Sequence, residues 1–209
     1  MNLDRVLPLF SPLLRRALAS RQAARRAQFN ALPPAPGRVV FLGDSITEWT
    51  AWEDWFPNLP TVNRGIGGEA IGDVLQRLPS ALVAPRAISL LIGTNDLHGL
   101  GKSTDVDEIA QQMQTLVGAI QRIAPSAPLF ITSVLPRSTH FRDRLTALNG
   151  HYRRITAGSS ATYVDMWPVL AGHRGAIRSE FTVDGLHLSI AGYAAWVEVL
   201  RPHLDRFVE

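Results

Sequence analysis

Apolar positions along this chain come in two kinds of run. Short, nearly continuous ones, dense in Val, Ile, Leu and Phe, occupy 38–43, 87–92, 129–135 and 161–164, with a shorter one at Thr61-Val62-Asn63. Runs of this length and composition read as buried strands. Between them lie stretches whose apolar residues recur every three or four positions, the period of a helix with one buried face. Ile71, Val74, Leu75 and Leu78 mark a short helix; Ile109, Met113, Leu116, Val117 and Ile120 mark a long one over 105–123, stopped by Pro125. Further helices are expected over 145–156 and 190–204, the last burying Trp196 and Val199. Strand and helix alternating in this way imply crossover connections and a parallel sheet. The expected fold class is α/β: a three-layer α/β/α, flavodoxin-like fold with a five-stranded parallel sheet.

The first segment stands apart. Residues 4–30 read as one or two amphipathic helices, stopped by Pro33-Pro34, and most of the arginine excess sits there as Arg15, Arg16, Arg21, Arg25 and Arg26. We therefore divide the chain into an N-terminal helical extension and linker, 1–36, and a main α/β domain, 37–209. The apolar part of the extension is too short to span a membrane and carries its arginines on the wrong side for a secretory leader. Three uses are open to it: packing on the flank of the domain, a homo-oligomer arm, or a basic helix at a membrane surface.

Composition narrows the classes further. The chain has 209 residues, 46% hydrophobic and 19% charged, which suits one soluble domain with a substantial core. A formal charge of +3, concentrated at one end, gives no reason to expect a nucleic-acid surface. With no cysteine, a disulfide framework, a thiolate nucleophile and a Cys-ligated metal are all excluded. A cytoplasmic location is expected, although the lack of cysteine does not by itself fix it.

The candidate chemistry lies just after the strands, so it projects from one sheet edge, where open parallel sheets bind their ligands. After the first strand comes Gly43-Asp44-Ser45-Ile46-Thr47. Ser45 there is either a nucleophile or a helix N-cap. After the second comes Asn63-Arg64-Gly65-Ile66-Gly67-Gly68-Glu69, whose glycines permit a tight turn with an exposed N–H. A dinucleotide fingerprint at this place is rejected, because it follows the wrong strand and no acidic residue ends the next one. After the third comes Gly93-Thr94-Asn95-Asp96; Asn95 is either a turn cap or a neutral donor for a developing oxyanion. Near the C-terminus, Asp184 and His187 are three residues apart in a loop before a helix. That spacing lets the carboxylate hold one ring nitrogen while the other accepts a serine proton, although a capping Asp beside a surface His is the plainer reading of the pair alone. The remaining histidines, 98, 140, 151, 173 and 203, lack an acid in a comparable setting and are read as solvated, His98 being near enough to Asn95 to line a pocket. No spacing supports a metal site, and no cofactor is expected.

Taken together, Gly-Asp-Ser, Asn-x-Gly-x-Gly-Gly, Gly-Thr-Asn-Asp and Asp-x-x-His, in this order, resemble the SGNH (GDSL-type) hydrolase superfamily from about Val39 to Tyr193. The second block, Leu135-Pro136-Arg137 and Asp184 to Ser189 look most like the branch of the platelet-activating-factor acetylhydrolase catalytic subunits and their bacterial relatives. The resemblance implies Ser45 as nucleophile, His187 as base and Asp184 as its partner. It also implies an oxyanion hole from the N–H groups of Ser45 and Gly68, with Gly67 a near alternative, and the side chain of Asn95. Ile46 stands where the family's namesake motif has Leu. The expected reaction is hydrolysis of a small-molecule ester with a short, acetyl-like acyl chain through an acyl-enzyme. A lysophospholipase or thioesterase, a carbohydrate O-deacetylase, and a non-catalytic lipid or carbohydrate binder are the alternatives. Trp49, His98 and Arg137 are candidate substrate contacts, with the loops 97–102 and 137–141 at the same edge. For the aromatics Trp49, Trp52 and Phe56, core packing is the simpler reading and an apolar acyl slot the other.

Overall fold

The apolar runs pair as five parallel strands: β1 (Val39–Gly43), β2 (Thr61–Gly65), β3 (Ala87–Leu91), β4 (Leu129–Thr132) and β5 (Thr162–Val164), in the spatial order β2-β1-β3-β4-β5. The helices are α1 (Pro12–Ala31), α2 (Ser45–Glu48), α3 (Trp52–Trp55), α4 (Ile71–Gln76), α5 (Leu78–Ala81), α6 (Thr94–Leu97), α7 (Val106–Ile123), α8 (Arg142–Ala157), α9 (Trp167–Leu170) and α10 (Ile190–Leu204). The computed structural model describes residues 12–32 and 35–208. Residues 4–11 of the expected helical segment, and the Pro33-Pro34 stop, lie outside the described residues.

Successive side chains of a strand face opposite ways, and here both faces are covered. Val40, Leu42, Ile88 and Leu90 join a core with α4, α7 and α8, whereas Val39, Phe41, Ala87 and Leu91 join a second core with α3 and α10. This is the expected three-layer arrangement. The strand order reverses between β1 and β3, and the carboxyl ends of β1, β2 and β3 flank that point, the place where open sheets leave a crevice.

Local chemistry adjusts several boundaries. The long helix starts at Val106 because the Asp105 carboxylate caps the N–H groups of Asp107 and Glu108, both at 3.0 Å. The apolar run 129–135 pairs only as far as Thr132. Beyond it the Asn149 side chain takes both the N–H of Val134, at 2.8 Å, and its carbonyl, at 2.9 Å, in place of a neighbouring strand. In α10, Trp196, Val197 and Leu200 are buried, while Val199 is only partly so, because the helix turns it toward the edge of the core.

Candidate active site

Ser45 opens α2 directly after β1. Asp44, not Ser45, is the N-cap: its Oδ1 accepts from Ile46 N at 2.9 Å. The Ser45 hydroxyl is thereby released from capping. The short helix is held at its far end by Asn63 on β2, whose Nδ2 donates to the carbonyls of Thr47, Glu48 and Thr50 at 3.0, 3.2 and 3.0 Å. Those carbonyls have no intrahelical donor, so one amide serves as their cap. Gly65 admits this approach, since a Cβ there would fall 2.3 Å from Glu48 N. From α10, Tyr193 OH donates to Ile46 O at 2.8 Å.

Ser45 Oγ lies 3.0 Å from His187 Nε2, and His187 Nδ1 lies 2.6 Å from Asp184 Oδ2. The Asp184 Oδ1 accepts the backbone N–H groups of His187 at 2.7 Å and Leu186 at 2.9 Å, which folds the Asp-x-x-His turn. Burial works against ionisation of Asp184, but these hydrogen bonds from the ring and backbone outweigh it and hold the carboxyl below its ordinary value. A carboxylate that stays ionised fixes the imidazole tautomer, leaving Nε2 able to accept the serine proton.

The other two strand ends close on the same place. Asn95, buried on α6, donates one N–H of its amide to Glu69 O at 2.9 Å, which leaves its second hydrogen for another acceptor. Gly68 follows β2 with φ of +75°, in the left-handed region that favours glycine. Gly67 N donates to Glu48 Oε2 at 2.9 Å. Glu69 is fully buried, with Arg77 Nε at 2.7 Å and Arg26 Nε at 2.8 Å from its two oxygens.

These groups surround a cavity of about 150 Å³ lined by Leu18, Arg21, Ser45, Trp49, Gly67, Gly68, Asn95, Leu100, Leu186 and His187. Roomier cavities among the described residues, of about 230, 310 and 530 Å³, lie elsewhere and share no wall residue with it. The aromatics that follow the serine divide: Trp49 is half exposed and lines the cavity, while Trp52 is buried, stacked on Phe41 with centroids 3.9 Å apart, beside buried Phe56. Neither His98 nor Arg137 belongs to the cavity wall. The His98 ring turns to Phe141, 4.7 Å away, and Arg137 is drawn inward, Nη1 donating to Thr94 Oγ1 at 2.9 Å. One other histidine does have an acid: His151 Nε2 lies 3.0 Å from Asp107 Oδ1, across the contact of α7 with α8. Leu18 and Arg21 are the wall residues that the motifs did not mark, because they reach the site from α1. Among the described residues no group of His, Cys, Asp or Glu gathers that could hold a metal ion. No helix among them is long and apolar enough to cross a membrane.

A hydroxyl, an imidazole and a carboxylate in hydrogen-bonded series at the carboxyl edge of a flavodoxin-like sheet can perform the chemistry of a serine-type acyl hydrolase. Comparison with known proteins makes the assignment specific: the chain belongs to the GDSL-like Lipase/Acylhydrolase family, which matches residues 41–195. It is 28% identical over 181 residues to the platelet-activating factor acetylhydrolase IB subunit alpha1 of Rattus norvegicus, covering 81% of this chain and 76% of that one. A structure from Streptococcus pneumonia, provisionally described as a platelet activating factor, superposes with a TM-score of 0.82 at 29% identity, over 92% of this chain and 96% of its own. That share is more than residues 37–209 alone can supply, so the likeness reaches into α1. A GDSL-like lipase from Bacteroides thetaiotaomicron shares the fold, with a TM-score of 0.72 at 22% identity over 90% and 97% of the two chains.

Proposed function

We propose that this enzyme is a serine esterase for short-chain, acetyl-like carboxylic esters, working through an acyl-enzyme. The observation that carries the reading is the unbroken series Ser45 Oγ, His187 Nε2, His187 Nδ1 and Asp184 Oδ2, with contacts of 3.0 and 2.6 Å, at the wall of a small cavity. In the first half-reaction Ser45 Oγ attacks the ester carbonyl as its proton passes to His187 Nε2. The oxyanion accepts from the N–H groups of Ser45 and Gly68 and from Asn95 Nδ2. Gly68 is favoured over Gly67 because the Gly67 N–H already donates to Glu48. His187 then returns the proton to the departing alkoxide, and the ester C–O bond breaks. A water molecule repeats the sequence on the acyl-serine and releases the acid.

Two features support a short acyl group. A cavity of about 150 Å³ is well below the roughly 300 Å³ at which pockets begin to take drug-sized ligands. Its apolar wall, Leu18, Trp49, Leu100 and Leu186, suits a small alkyl group. The rat relative's name, acetylhydrolase, points the same way. The test is hydrolysis of p-nitrophenyl acetate, butyrate and octanoate by the wild type and Ser45→Ala. Turnover that requires Ser45 and declines with chain length supports the reading. Octanoate as the best ester would move the assignment to long-chain acyl substrates, and turnover surviving in Ser45→Ala would remove it.

A further inference from the structure

The helix α1 lies beyond the family match at residues 41–195, and its inward face is unusual. Phe29 is its one buried residue among those whose side chains are described, and Leu18, Gln22, Arg25 and Arg26 form the rest of one helical stripe. The polar members of that stripe converge on Gly67 to Glu69. Gln22 Nε2 donates to Gly67 O at 3.1 Å. Arg26 pairs with Glu69 at 2.8 Å and Asp73 at 3.0 Å. Arg21 and Arg25 stand 3.6 and 3.5 Å from the Glu48 carboxylate that accepts Gly67 N–H.

Gly67 O and Gly68 N–H belong to one peptide unit. That unit is trans, so its carbonyl and its N–H point in opposite directions. Flanked by two glycines, it has little steric resistance to rotation of the whole plane. Such a rotation would exchange donor for acceptor and present a carbonyl oxygen where an oxyanion forms. Gln22 holds the carbonyl on the α1 side. On the same side the Leu18 methyls cover Gly68, a Cβ there falling 2.8 Å from both of them.

We propose that Gln22 is a positioning residue of the oxyanion hole, locking the Gly67–Gly68 peptide with its N–H toward Ser45, so that α1 is a working part of the active site. The proposal rests on the serine esterase reading above.

The test uses the full chain carrying Gln22→Met, which keeps side-chain length and loses the donor, and Gln22→Glu, which sets a carboxylate against Gly67 O. Ala23→Ser, on the exposed side of α1, is the control. For Gln22→Met, kcat on p-nitrophenyl acetate falls about tenfold, short of the roughly hundredfold or more that follows loss of an oxyanion donor, while KM stays within about twofold. Affinity for a trifluoromethyl ketone, which forms a tetrahedral adduct on Ser45, falls by the same factor as kcat. Gln22→Glu loses at least as much at pH 8, and Ala23→Ser matches the wild type. Wild-type kcat and ketone affinity in Gln22→Met, with Ser45→Ala inactive, overturn the positioning role and leave the esterase standing. A loss of kcat with unchanged ketone affinity assigns Gln22 a merely structural part and also overturns it. Hydrolysis that persists in Ser45→Ala removes the esterase reading and this inference with it.

Discussion

The indole of Trp49 lies flat on the imidazole of His187, ring centroids 3.8 Å apart and planes 16° from parallel. An aromatic face attracts a cation, so the contact strengthens when His187 takes the serine proton and becomes imidazolium. Such contacts contribute about 0.5–2 kcal/mol depending on exposure, and Trp49 is half exposed. We expect Trp49→Leu to lower kcat by about two- to thirtyfold. Steady-state kinetics checks this; a change confined to KM would mean that the indole serves only as cavity wall.

On the esterase reading Asp184 has two tasks, and one substitution separates them. An Asn at this position can still accept the N–H groups of Leu186 and His187 through Oδ1, so the turn is kept. Its NH₂, however, would face His187 Nδ1 and stabilise the tautomer that carries its hydrogen on Nε2, which cannot accept from Ser45. Asp184→Asn should therefore keep the wild-type Tm within a few degrees while kcat falls by about 10³–10⁴. A loss below about tenfold would show that the carboxylate is not needed to orient the base.

Much of this site was legible in the residues, because its functional groups sit in short blocks at strand ends, and strand ends can be read from apolar runs. The alternation of strand and helix places Ser45, Gly68 and Asn95 at one edge before any coordinate is known, and the Asp-x-x-His block marks His187 as their partner. What stayed hidden depends on contacts far apart in sequence. Trp49 and Trp52 are both aromatic residues on the same short stretch, and only the stack of Trp52 on Phe41 tells the core residue from the wall residue. The reach of Arg137 to Thr94 and of His151 to Asp107 follows from how helices and loops pack. The part played by α1 is the least legible of all: Gln22 meets Gly67 across 45 positions through a polar contact, and apolar periodicity carries no trace of it.

Gly68 is constrained twice over. Its φ of +75° costs an alanine about 1–2 kcal/mol, and the added Cβ would strike the Leu18 methyls at 2.8 Å. Gly68→Ala should lower Tm and abolish most activity by displacing the N–H. In a Leu18→Ala background the clash with the Leu18 methyls is relieved, leaving the backbone strain and a 3.2 Å approach to Gln22 Nε2. We expect the loss of Tm caused by Gly68→Ala to be smaller there than in the wild type. Equal losses in both backgrounds, measured by thermal unfolding, would show that α1 does not press on Gly68.

The N-cap of α2 carries a cost that pH reveals. Burial pushes the Asp44 carboxyl up to about 7, against an ordinary carboxyl value near 3.9 in the unfolded chain, and its Oδ2 has no hydrogen-bond partner. Between those two values the folded protein holds a proton at Asp44 that the unfolded chain has released. Stability contributed by this group therefore falls as pH rises through that window and levels off above about pH 7. Asp44→Asn cannot ionise, and its Oδ1 can still accept from Ile46 N. Denaturant unfolding at pH 5 and pH 8 should show the variant gaining about 1–3 kcal/mol on the wild type over that interval. The same stability difference at both values would mean that Asp44 is ionised in the folded enzyme throughout, held so by the Arg137 charge against its burial.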